Sequence, residues 1–112
     1  MALTRRFRET VVRHVQEDPA FLVALVEEAA RNVVDGDIET ALGQIRDVVN
    51  ATMGFDALAA ETKIPKTSLM RMLSDTGNPR ATNLSAILKA VGRSAGVRIS
   101  VHVEPELQYA LT

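Results

Sequence analysis

The chain has 112 residues, of which 46% are hydrophobic and 24% are charged, a composition typical of one globular domain with a single modest core. It contains no cysteine, which excludes disulfide bonds, thiolate metal sites and a thiol nucleophile. No apolar run is long enough to cross a bilayer and the first residues lack the apolar stretch of a secretory signal, so we expect a cytoplasmic protein.

The net charge of -1 conceals a separation of charge along the chain. Residues 17–62 hold ten acidic residues against two arginines, whereas residues 63–93 hold six lysines and arginines against Asp75 alone. A local positive face on a mildly acidic protein favours a specific polyanion binder over a protein that coats nucleic acid. The alternative is a chance cluster of solvated side chains.

The first half of the chain is predicted to be helical, because apolar residues recur every three or four positions. Residues 1–17 form an N-terminal helix or arm in this interpretation, with the helix over 4–16. Asp18 followed by Pro19 predicts the start of a second helix that ends near residue 34. Asp37 is expected to cap a third helix, which ends at Gly54.

The second half continues the helical pattern up to Gly92. Two short helices are predicted within residues 55–74, and a loop at 77–79 precedes a last helix capped by Thr82 or Asn83. The expected fold class is therefore mainly α, a bundle of five to six helices, with residues 18–112 forming one domain.

The tail changes to a period of two. Val97, Ile99, Val101 and Val103 alternate with polar residues, which predicts a strand over 97–103 with one buried face. No other segment offers a strand partner, so pairing with the same strand of a second copy predicts a homodimer. The alternative is a tail that covers its own core.

The segment 55–74 has the pattern of a helix-turn-helix. Such a motif needs a small residue where its two helices cross, and Ala59 stands at that position. The motif also buries a set of apolar side chains, here Leu58, Ile64, Leu69 and Met72. A two-helix crossing of this kind can alternatively serve packing alone.

The polar side of the second short helix is short and positive, as a helix that enters a major groove requires. Arginine can bridge guanine, hydroxyls can bond to bases or phosphates, and a methionine can contact a thymine methyl. The predicted DNA-binding residues are Lys63, Lys66, Thr67, Ser68, Met70, Arg71, Ser74, Asn78 and Arg80.

Two residues depart from the usual motif. Lys63 occupies the turn position that commonly takes a left-handed conformation and holds glycine, which predicts either a different turn or a strain of about 1 kcal/mol. Pro65 stands where serine or threonine more often caps the second helix.

The sequence resembles the addiction module antidote proteins, small helix-turn-helix antitoxins of bacteria within the phage-repressor-like group. The shared pattern covers residues 18–103 and consists of Asp18-Pro19, Asp35-Gly36-Asp37, Ala41-Leu42, Met53-Gly54, Leu58-Ala59, Ser68-Leu69, Leu73-Ser74, Gly77-Asn78-Pro79, Thr82 and residues 88–92. Lys63, Pro65 and Ala81 depart from the family's pattern.

The resemblance implies a dual role. Such a protein represses its own promoter as a dimer bound to double-stranded DNA, and it binds a small toxin, for which the acidic stretch 17–47 is the candidate surface because these toxins tend to be basic. One alternative is an interaction antitoxin or adaptor that uses the same fold without binding DNA, and another is a plain repressor.

An enzyme is not expected. The chain has two histidines and no cysteine, and no side chains are spaced to form a nucleophile with its base or a metal shell. We therefore predict no cofactor and no metal.

Overall fold

Residues 5–107 are the part of the chain that a computed structural model describes, and six helices follow one another within them. They are α1 (Arg5–Glu17), α2 (Pro19–Asp35), α3 (Ile38–Ala51), α4 (Gly54–Thr62), α5 (Lys66–Met72) and α6 (Ala81–Ala95). The prediction of a mainly α fold is confirmed. Residues 1–4 and 108–112, which include the ends of the predicted arm and of the predicted domain, lie outside the described part.

The helix α3 is the centre of the bundle. It packs against α1, α2, α4 and α6, and its side chains Leu42, Ile45, Val48 and Val49 are at most 1% exposed. Because residues at spacings of three and four share one helix face, this pattern gives α3 a continuous apolar side. The core is completed from the other helices by Leu25, Val26, Ala29, Leu58, Leu69, Leu73, Ile87, Ala90 and Val91.

Aspartates cap two helices, as predicted. The Asp18 carboxylate accepts a hydrogen bond from the Ala20 backbone N–H at 3.0 Å, and Pro19 occupies the first helical position of α2. The Asp37 carboxylate accepts from the Thr40 N–H at 3.5 Å at the start of α3. These bonds satisfy backbone donors that a helix leaves without an internal partner.

Three predicted helix boundaries are wrong. The helix α3 ends at Ala51, and Gly54, with a φ of 77°, begins α4 instead of ending α3. Neither predicted cap starts α6, which begins at Ala81 without a side-chain cap.

The helix α6 also runs past Gly92 to Ala95, because the left-handed residue that ends it is Gly96, with a φ of 72°. The Val97 N–H donates to the Gly92 carbonyl at 2.9 Å, and the Val97 carbonyl lies 3.2 Å from the place where a side chain on residue 92 would begin. The glycine at 92 therefore serves the close return of the chain, not the helix end.

The predicted strand over 97–103 is absent from the single chain. Residues 97–106 have no regular secondary structure, because a strand needs a neighbour for its backbone hydrogen bonds and the described part of the chain supplies none. Val97 packs against the core, whereas Val101 and Val103 are 88% and 85% exposed. Of the four alternating apolar residues of the tail, only Val97 therefore packs against its own core, and pairing across a dimer stays a prediction.

Lys63 has the left-handed conformation, with φ 61° and ψ 27°, and it is the only residue other than glycine with a positive φ among those described. The predicted strain at this turn is therefore present. Lys63→Gly should raise the free energy of unfolding by about 1 kcal/mol because glycine adopts this conformation without a steric penalty. Denaturant titration measures the change. The matched control Ala60→Gly, at an exposed position inside α4, should instead lower stability by about 1 kcal/mol.

None of the helices in the described residues is long and apolar enough to cross a membrane.

Candidate nucleic-acid interface

The helices α4 and α5 are joined by three residues, Lys63 to Pro65. The Lys63 N–H donates to the Ala59 carbonyl at 2.8 Å and closes the last turn of α4, and the Ile64 N–H donates to the Thr62 hydroxyl at 3.3 Å. Ile64 packs against the core, and Pro65 leads into α5. The left-handed Lys63 thus reverses the chain within a few residues, which brings α5 against α4.

One face of α5 is anchored in the core. Leu69 and Leu73 are both fully buried, and Met72 packs against the same cluster. Leu58 of α4 is buried there as well, and Ala59 is partly buried. Residues four apart lie above one another on a helix, so this apolar stripe fixes which side of α5 faces outward.

The opposite face of α5 is exposed. Lys66, Thr67, Met70 and Arg71 occupy it, and Met70 is 50% exposed although it is apolar. These four residues are spaced by one and four along the helix, so they form one contiguous surface. We call this surface the α5 face; it contains no acidic residue.

One cation of the α5 face is paired. The Lys66 ammonium lies 3.1 Å from the carboxylate of Asp56 on α4, and both side chains are substantially exposed. A surface pair of this kind contributes at most about 1 kcal/mol, so a phosphate can compete for the lysine. Arg71, Lys63 and Arg80 form no ion pair with any described residue.

The loop after α5 is held in place by α3. The Arg46 guanidinium donates to the Leu73 carbonyl at 2.8 Å and contacts the Asp75 carboxylate at 3.4 Å, with only 19% of the arginine side chain exposed. A cation at a helix C-terminus also interacts favourably with the helix dipole. Arg46 thus ties the end of α5 to the central helix.

Gly77 allows this loop to approach α5 closely. A Cβ atom on residue 77 would lie 1.9 Å from the Met72 carbonyl oxygen, far inside contact distance, so only glycine fits. The Gly77 N–H donates to the Ser74 carbonyl at 3.0 Å. The chain then passes Asn78 and Arg80, both exposed, on its way to α6.

Most of the predicted DNA-binding residues lie on the surface of this region. Lys63, Lys66, Thr67, Met70, Arg71, Asn78 and Arg80 are exposed, whereas Ser68 and Ser74 are half-buried. The Ser74 hydroxyl donates to the Arg71 carbonyl at 2.7 Å, so it is already engaged at the end of α5. The prediction that Ser74 contacts DNA therefore has the weakest structural support of the nine.

Two residues that shape this region were not predicted from the sequence. Asp56 lies ten residues before Lys66, and only the crossing of α4 and α5 brings their side chains together. Arg46 follows Ile45 within an apolar-patterned helix, and nothing in the local sequence pattern indicated that its side chain reaches the Leu73 carbonyl. Its bond to Leu73 spans 27 residues and depends on the tertiary fold.

The described residues contain no group of three or more side chains that could hold a metal ion.

No protein-family model matches this chain, and neither a curated protein nor a solved structure does. The resemblance to the addiction module antidote proteins therefore rests on the sequence pattern alone.

Proposed function

We propose that this protein is a sequence-specific DNA-binding transcriptional repressor that uses α4 and α5 as a helix-turn-helix. The observation that carries the proposal is the α5 face: an exposed surface with Lys66 and Arg71, on a helix that contains no acidic residue and whose other side is anchored by Leu69 and Leu73. A rigidly held helix with a short polar outer side suits the major groove, where arginine and hydroxyl groups reach base edges.

Cations on both sides of α5 extend the surface. Lys63 precedes α5 and Arg80 follows it, and neither pairs with a described acidic residue. Contacts to phosphates fix the position of a protein on the duplex, while contacts to base edges read the sequence. In this proposal Lys63 and Arg80 bind phosphates, and Lys66, Thr67, Met70 and Arg71 approach the bases.

The protein acts as a homodimer in this proposal, with one α5 in each half of an inverted repeat. Half-site centres should then lie about 34 Å apart or a multiple of that distance, because successive major grooves on one side of B-DNA have this spacing. The promoter of the protein's own reading frame is the expected operator.

An experiment on that promoter tests the proposal. Fluorescence anisotropy should detect binding of the protein to the promoter duplex, and the affinity should fall steeply as the salt concentration rises. A plot of log affinity against log salt concentration should have a slope of roughly −1 for each phosphate contact. Binding to a duplex with one half-site should be much weaker. Equal affinity for one and two half-sites would contradict the dimeric mode, and no affinity for the duplex would contradict DNA binding altogether.

The family resemblance supports the further proposal that the protein is the antitoxin of a toxin–antitoxin module. Val23, Glu27 and Val34 lie along one exposed side of α2 within the stretch 17–47, where Val34 is 86% exposed and Glu27 pairs with Arg31 at 2.8 Å. The two valines offer contact area to a small toxin, and an exposed ion pair contributes at most about 1 kcal/mol, so a basic partner can compete for Glu27. Co-purification with a basic protein from the adjacent reading frame supports this role, and its absence favours a plain repressor.

A second candidate is an interaction module that keeps the helix pair without binding DNA. The ion pair between Lys66 and Asp56 favours it, because an acid beside the first residue of α5 reduces the local positive potential. The same titration separates the two candidates, since an interaction module shows no salt-dependent affinity for the promoter duplex.

A further inference from the structure

The C-terminal tail leaves apolar side chains uncovered next to a groove on α6. The groove is lined by Leu84 and Leu88 of α6 and by Val97 and Ile99 of the tail, with Lys89 and Arg98 among its polar neighbours. Beyond the groove, Val101 and Val103 are almost fully exposed. The apolar residues of the tail therefore begin on the surface of their own chain and continue past it.

We propose that two copies of the chain pair their tails antiparallel about a two-fold axis through Val101. At each end of the paired segment, the two tails together cover the α6 groove of one copy. This inference rests on the homodimer of the proposed function and is independent of DNA binding. It specifies which residues of the second copy meet which residues of the first.

The alternation of the tail restricts the possible registers. Residues directly opposite in an antiparallel pair point to the same side, so apolar residues must face apolar residues. With Val101 on the axis, Ile99 lies opposite Val103 of the second copy, and Arg98 lies opposite Glu104. Both the apolar side and the polar side of the ribbon are then matched.

Neighbouring registers match less well. An axis at Ser100 places Arg98 opposite His102, so it gives up the pair of opposite charges. An axis at His102 keeps Arg98 opposite an acid, Glu106, and Val101 opposite Val103, but it places Pro105, which has no backbone N–H, opposite Ile99 inside the paired segment. Among these three registers, only the axis at Val101 pairs Arg98 with an acid and keeps proline out of the paired segment 98–104.

The groove gives the two paired tails a helix surface to pack against. Two strands alone are marginally stable in water and need a helix or further strands against one face. Five residues of strand, 99–103, span about 13 Å, and the α6 segment from Leu84 to Gly92 spans about 12 Å, so the lengths agree. In this arrangement Val103 of the second copy lies beside Ile99 and covers Leu84 and Leu88.

Charge supports the same partner. Arg98 is exposed and has no ion pair among the described residues, and Glu104 has only a contact at 3.7 Å with His102 two residues away. A second copy offers each of them an opposite charge across the ribbon. No partner of other composition is needed to satisfy this surface.

Single cysteines test the register, because the natural chain has none. Under mild oxidation Val101→Cys should form a covalent dimer in high yield, since residues on the axis have Cα atoms about 4.5 to 5.5 Å apart, within disulfide range. Ile99→Cys should not, because its two copies are about 14 Å apart. A mixture of Ile99→Cys and Val103→Cys chains should cross-link to each other.

Charge exchange provides a second readout by sedimentation, in the absence of DNA. Arg98→Glu alone should weaken the dimer about tenfold or more, because it places like charges opposite each other twice, and Arg98→Glu with Glu104→Arg should restore it. A dimer in which Ile99→Cys cross-links as readily as Val101→Cys overturns the register while the dimer stands. A chain that stays monomeric at every concentration overturns both, and neither result depends on whether DNA binds.

Discussion

The double substitution Lys66→Ala with Arg71→Ala is expected to reduce affinity for the promoter duplex by about 2 to 6 kcal/mol, since each specific contact of this kind contributes about 1 to 3 kcal/mol. Both side chains are exposed on the α5 face, and the only described bond that their removal breaks is the surface pair with Asp56. The fold should therefore be unaffected. Anisotropy titration gives the affinity, and thermal unfolding gives the stability.

A matched control separates a local effect from a loss of overall charge. Arg13→Ala with Arg31→Ala also removes two positive charges, but from exposed positions on α1 and α2. This control should lower affinity only slightly, through the weaker long-range attraction of the duplex. If the control and the double α5 variant weaken binding equally, net charge drives association and the α5 face has no special role.

The substitution with the largest expected effect on stability is Gly77→Ala. The added methyl group would meet the Met72 carbonyl oxygen at 1.9 Å, and that oxygen belongs to the backbone of α5, which cannot turn aside as a side chain could. The loop or the end of α5 must therefore shift, at a cost of roughly 3 kcal/mol in the free energy of unfolding. Denaturant titration measures the loss.

The control for this prediction is the same substitution at Gly43. Gly43 lies inside α3, and its nearest neighbour would be an Arg46 side-chain nitrogen at 3.9 Å, an ordinary contact. Gly43→Ala should raise stability by up to about 1 kcal/mol because alanine favours the helix. Equal effects of the two substitutions would show that the loop does not depend on close contact at residue 77.

Local patterns in the sequence predicted the helices well. Apolar residues at spacings of three and four identified the buried side of α3, and the Asp18-Pro19 pair located the start of α2, because a cap acts over two or three residues. The apolar stripe of α5 was predictable for the same reason, and with it the identity of the exposed face.

Contacts between distant residues were not predictable. The role of Arg46 depends on α3 and the end of α5 meeting in space, and the ion pair of Lys66 depends on the angle between α4 and α5. The strand predicted in the tail is absent for a related reason. Alternation indicates that a segment suits a strand, but a strand forms only with a partner, and residues 5–107 of the single chain supply none. Gly92 was misinterpreted as a helix end because glycine serves close packing as readily as termination.

Amide chemical shifts of the labelled protein, titrated with its promoter duplex, report directly whether the α5 face contacts DNA as proposed. The largest shifts are expected from Lys63 to Arg71 and near Arg80, and they should saturate at one dimer per operator. Shifts confined to α1 and α2, or no shifts at duplex concentrations that saturate a specific binder, would contradict the proposed contact.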